Sequence, residues 1–110
     1  MKEIRWIGSS RARLKEFPED AMDDAGHQLW LIQKGLEPAD WKHIPSIGLG
    51  AVELRLHSPN EYRVIYVAKF PEAIYILHAF EKKTRKTPDH ELVIARVAYA
   101  EVEKKRQAIK

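Results

Sequence analysis

The sequence contains no cysteine, so neither a disulfide framework nor a thiolate metal site is open to it. No apolar run approaches the roughly 20 residues that a membrane-spanning helix needs. The first residues carry no charged-then-apolar signal pattern. Together these absences predict a cytoplasmic protein. The five histidines, His27, His43, His57, His78 and His90, stand 16, 14, 21 and 12 residues apart. None forms a HisxxxHis or HisGluxxHis pair, so no metal site is expected. No serine sits in a nucleophile elbow. Gly48-Leu49-Gly50 precedes a strand-like run rather than a helix, so it lacks the context of a phosphate cradle and reads as the entry into a sheet. No cofactor is expected. Low-complexity bias is also missing, and 110 residues suffice for one domain with its own core, spanning residues 1 to 110.

What is present is an uneven distribution of charge. Residues 50 to 88 hold seven Lys and Arg against four Glu, while the rest of the chain holds 12 of each sign. The whole net charge of +3 therefore sits in this stretch, and with a pI of about 9.2 it points to an acidic or polyanionic partner.

Local patterning predicts an α+β fold in the order strand, helical hairpin, three antiparallel strands, C-terminal helix. Residues 2 to 7 alternate, with Ile4 and Trp6 on one face and Arg5 and Ile7 on the other. Ser9 or Ser10 offers a cap for a short helix with Leu14 and Phe17 inward. Pro18 suits the first turn of the next helix. Met22, Ala25, Leu29, Ile32 and Leu36 recur at helical spacing as a buried stripe, and Gly35 suits its end. Residues 36 to 49 hold two prolines and no sustained period, which predicts a connecting loop pinned by Trp41 and Ile44. Residues 51 to 57 alternate as a strand, with Val52, Leu54 and Leu56 on one face. Ser58-Pro59-Asn60 is a turn, residues 61 to 68 a second strand, and residues 73 to 80 a third, apolar enough to be central and covered on both faces. Thr87 as N-cap and Pro88 as first residue open a last helix to about residue 106, with Leu92, Ala95, Tyr99 and Val102 as its apolar stripe.

Arg55 and Arg63 lie symmetrically about the turn and fall near each other across two strands. Paired guanidiniums repel unless an anion or a carboxylate joins them. Glu53 and Glu61 share the symmetry, so a Glu–Arg ladder on a solvated face and a phosphate clamp fit the spacing equally well. Lys82, Lys83, Arg85 and Lys86 form a cluster with no acid among them: either a solvated loop or a phosphate-binding one. His57 is either an acid/base candidate or a polar residue at a sheet edge. Tyr62 and Tyr66 read as packing residues, and the run Lys104 to Arg106 as a solvated helix end.

Three segments carry a resemblance. Glu53-Leu54-Arg55, Tyr62-Arg63-Val64-Ile65-Tyr66 and Phe80-Glu81-Lys82-Lys83-Thr84-Arg85-Lys86-Thr87-Pro88 resemble the RelE/HigB superfamily of bacterial toxins, and within it the HigB-like, phage-derived branch. The resemblance covers nearly the whole chain, and the segment from Phe80 to Pro88 is its most specific part. It implies a RelE/ParE-like fold with a basic face on the sheet, and ribosome-dependent cleavage of mRNA. It implies Arg55, Arg63, Lys82 and Lys83 as catalytic residues. His57, Arg85 and Lys86 are the accompanying candidates for RNA contact. The implied partners are a cognate antitoxin, commonly a helix-turn-helix HigA-like protein, and the ribosome. Relatives that inhibit a topoisomerase without cleaving RNA keep a non-enzymatic alternative open. So does decay to an inactive antitoxin-binding module.

Overall fold

The computed structural model describes residues 1 to 109. Its elements are β1 (Glu3–Trp6), α1 (Ser10–Lys15), α2 (Glu19–Gln33), β2 (Trp41–His43), β3 (Ala51–Leu56), β4 (Tyr62–Val67), β5 (Ala73–Glu81) and α3 (Asp89–Ile109). The five strands form one mixed sheet in the order β1-β5-β4-β3-β2. β1 runs parallel to β5, and every other neighbour is antiparallel. The fold is thus α+β with the expected helical hairpin, strand triplet and C-terminal helix.

The alternation along the strands decides what covers each face. Val52, Leu54, Leu56, Val64, Ile74 and Ile76 pack under the hairpin with Leu14, Phe17, Ala25 and Leu29. Ala51, Ile65, Val67, Tyr75 and Leu77 pack under α3 with Ala95, Ala98, Tyr99 and Val102. β5 is buried on both faces from Ala73 to Phe80, as its composition predicts. Burying each large aliphatic side chain in it contributes about 1.5–3 kcal/mol, which makes this strand the anchor of both layers. The register slips between Ile65 and Tyr66, leaving Leu77 as the extra residue of β5. Such a bulge turns two successive side chains to one face. Leu77 and His78 accordingly both meet the α3 layer, where the fully buried His78 ring lies with Nε2 2.8 Å from Glu91 Oε1.

Several local expectations need correction. Residues 36 to 49 are not all loop: Trp41–His43 pairs with β3 as a short edge strand, Lys42 opposite Glu53. Three residues are too few to show a period, and the edge forms because β3 supplies the free backbone partners. Trp41 and Ile44 do pin the segment, to the hairpin-side core and the α3-side core respectively. Leu36 lies beyond the end of α2 and is 55% exposed, so the buried stripe stops at Ile32. Ser9 makes no side-chain cap; its carbonyl accepts from Arg13 N–H at 2.9 Å. Pro18 and Pro88 each stand one residue before their helix, with carbonyls that accept from Met22 and from Glu91. α3 continues past residue 106 to Ile109. Gly35, at φ +79°, ends α2 as expected: its N–H donates to the Ile32 carbonyl and Leu36 N–H to that of Leu31.

Candidate functional site

Arg55 and Arg63 are direct cross-strand partners of β3 and β4. Their side chains stand on the α3 face of the sheet, as Ala51 and Ile65 do. α3 begins only at Asp89 and covers the other end of that face, so Glu53, Arg55 and Arg63 floor an open groove. Its walls come from Lys42 and the residues after β2, and from Lys82, Arg85 and Lys86 after β5, with Leu92 at the start of α3. The groove encloses about 450 Å³. Six lysines and arginines and one carboxylate, Glu53, line it.

Both arginines are engaged by carboxylates. Arg55 Nε donates to Glu53 Oε1 at 3.0 Å, and Arg63 Nε lies 3.9 Å from the same oxygen. Arg63 Nη1 donates to Glu61 Oε1 at 3.1 Å and to the Tyr62 carbonyl at 3.0 Å. The Glu–Arg ladder anticipated as one of two options is therefore present, yet it leaves a remainder. Arg63 is 6% exposed, and its Nε, a buried donor, has no hydrogen-bond partner. A buried unsatisfied donor costs roughly 1–3 kcal/mol, more when charged.

Of the remaining sequence candidates, Lys82, Arg85 and Lys86 join the groove. Lys82 Nζ donates to the Arg85 carbonyl at 2.6 Å, which pins the loop. Lys83 does not join it. It lines a separate recess with Arg13, Glu16, Tyr62 and Glu91. Adjacent residues leaving a strand end point to opposite sides, and this separates the two lysines. His57 also lies off the groove, at the sheet edge. Its Nε2 faces Asp40 Oδ2 at 2.5 Å and its Nδ1 faces the Glu61 carboxylate at 2.9 Å. Hydrogen bonds to Asp40, then to Glu61, raise the His57 pKa above its ordinary value and favour the imidazolium. The His57 bond in turn lowers that of Glu61. Glu61 thereby links His57 to Arg63.

Three participants escaped sequence reading. Lys42 reaches the groove only because residues 41 to 43 form β2. Glu53 was legible as part of a ladder but not as the single carboxylate of the wall. Asp40 is tied to the sheet by its carbonyl, which accepts from Arg55 N–H at 2.9 Å. Among the described residues, no three His, Cys, Asp or Glu side chains come together as a metal-ligand set. No helix among them is long and apolar enough to cross a membrane.

An α+β domain with a mixed five-stranded sheet, flanked by a hairpin and a C-terminal helix, is consistent with a RelE-like fold. Residues 12–100 match the model of the phage derived protein Gp49-like family (DUF891), and the chain belongs to that family. No curated protein matches it.

Proposed function

We propose that this protein is a RelE/HigB-like toxin that cleaves translated mRNA on the ribosome and is held in check by a small helix-turn-helix antitoxin. The observation that supports this most is the groove over Arg55 and Arg63. Six cationic side chains converge there, and a buried guanidinium N–H still lacks an acceptor. A phosphodiester supplies that acceptor and neutralises the crowding.

Cleavage proceeds by attack of the ribose 2′-hydroxyl oxygen on phosphorus. The 2′-proton passes to a base, the bond to the 5′-oxygen breaks, and that oxygen takes a proton from solvent water. The products end in a 2′,3′-cyclic phosphate and a 5′-hydroxyl. Arg55 and Arg63 hold the phosphate and stabilise the charge that develops on it. Lys82 lines the groove and Lys83 does not, which supports Lys82, acting as the neutral amine, as the base. Glu53 is the one carboxylate on the wall. His57 acts through Glu61 on the orientation of Arg63 rather than on the RNA. Arg85 and Lys86 contact flanking phosphates.

The test is controlled expression of the wild type and Arg63→Ala, followed by mapping of mRNA 5′ ends with and without translation. Cuts made by the wild type alone, and only on translated messages, are expected. Cuts that persist without translation remove the ribosome from the reading. A second reading, a binding module that inhibits a topoisomerase without chemistry, is favoured by the carboxylates that already engage both arginines. DNA damage without RNA cuts in arrested cells decides for it.

A further inference from the structure

The hairpin side of the sheet carries a second and larger concavity, about 880 Å³, away from the cationic groove. α2 ends at Gln33, and the sheet continues past it, so the ends of β2, β3 and β4 are left without a helix above them. Ile32, Leu36, Pro38, Trp41, Val52 and Tyr66 make its lining predominantly apolar. Leu36 is 55% exposed, and nearby Trp30 is 43% exposed. Around this apolar floor stand three lysines, Lys2, Lys34 and Lys69, and one carboxylate, Glu37. None of the three lysines has a carboxylate within 4.0 Å among the described residues. Lys34 Nζ instead lies 4.4 Å over the Trp30 ring and Lys69 Nζ 5.0 Å over that of Phe70, while Lys2 donates to the Ala68 carbonyl.

Tyr66 offers a polar group to an occupant. Only 4% of this residue is exposed, it lines the concavity, and its hydroxyl makes no hydrogen bond among the described residues. Burial raises its pKa to about 12, so near neutral pH it is a phenol with a proton to donate.

We propose that this groove docks a protein segment that presents a row of apolar side chains flanked by carboxylates, with one of its oxygen acceptors on the Tyr66 hydroxyl. The apolar floor selects a polypeptide over a nucleic acid, whose phosphates belong in the cationic groove. Three lysines against the single carboxylate Glu37 select acidic flanks over basic ones. A second copy of this chain, with its net charge of +3, fits less well than an acidic partner. The inference stands apart from RNA cleavage, because none of the residues on which it rests lies in the cationic groove.

The probe is a synthetic 14-residue peptide of Leu and Glu at helical spacing, beside its Lys-for-Glu counterpart. Both are titrated into the 15N-labelled full chain. The acidic peptide is expected to shift the amides of Trp41, Val52, Tyr66 and Ala68, and to bind at least tenfold tighter than the basic one. Tyr66→Phe is expected to weaken it several-fold, and the exposed substitution Lys34→Glu by tenfold or more. Equal binding of both peptides, shifts confined to other surfaces, or the same shifts with an RNA oligonucleotide overturns the proposal. So does sedimentation showing that the groove is closed by a second copy. Loss of mRNA cleavage bears on the other groove and leaves this one untouched.

Discussion

Glu53 Oε1 stands between Arg55 Nε, at 3.0 Å, and Arg63 Nε, at 3.9 Å, so one carboxylate oxygen screens two guanidiniums that face each other across β3 and β4. The arrangement places an internal anion where the proposed phosphate binds. Glu53→Gln is therefore expected to bind a non-cleavable RNA oligonucleotide several-fold more tightly at low salt. The salt dependence steepens, since each further phosphate contact adds about 0.7 to the slope for single strands. Fluorescence anisotropy across a salt series measures both, and an unchanged affinity and slope removes Glu53 from the site.

Arg63→Lys is expected to lower cleavage by about 10²–10³-fold, the scale of one preorganised contact to developing charge. Lysine keeps the charge but loses the fork that serves Glu61, the Tyr62 carbonyl and the groove together. Single-turnover cleavage on programmed ribosomes, with a thermal melt of the same variant, separates catalysis from folding. Wild-type rates in a folded variant contradict the role.

The two neighbouring lysines should behave differently. Lys82→Ala is expected to reduce the salt slope of RNA binding and impair cleavage. Lys83→Ala is expected to leave the slope as it is, because that side chain lines the recess with Arg13 and Glu91. Equal losses from both variants mean that the loop is not held as described.

A pH effect follows from the other end of α3. Arg106 Nε donates to Glu72 Oε2 at 2.7 Å and Tyr75 donates to the same oxygen at 2.8 Å. The Arg106 bond is the main reason that the Glu72 pKa falls to about 2. A folded-state value below the unfolded one means stability that is present at neutral pH and fades as pH falls through the carboxylate range towards 2. Carboxyl NMR titration is expected to find Glu72 well below the other glutamates, and Arg106→Ala to return it towards them. His57 has the opposite sign: its contribution is complete below its ordinary value of 6.5 and is lost as pH rises through the raised one.

Gly48→Ala tests a packing constraint. A β-carbon there lies 2.6 Å from three carbons of the Tyr99 ring. That ring is 6% exposed and its hydroxyl donates to the Leu49 carbonyl at 2.7 Å, so it has little room to yield. Overpacking of this kind costs about 1–3 kcal/mol. For a domain near this size each kcal/mol lowers Tm by roughly 4–8 °C. An unchanged Tm by calorimetry shows that the ring moves freely.

Much of this was legible locally. Alternation through Val52, Leu54 and Leu56, the apolar run of β5 and the helical spacing of Ala25, Leu29 and Ile32 each report a buried face within a few residues. The turn at Ser58 to Asn60 sets the Arg55–Arg63 pairing, because a short connection leaves the two strands little choice of register. These features depend on neighbours in sequence, and the sequence alone determined them. The parallel pairing of β1 with β5, the edge strand β2 that carries Lys42, and the bulge that turns His78 towards Glu91 depend on partners 9 to 70 residues away, or on an unpaired backbone edge. Only the tertiary structure decided those, and with them the division of the cationic cluster. Side-chain direction at the end of β5 puts Lys82 into the groove and Lys83 out of it, although their charges are the same in the sequence.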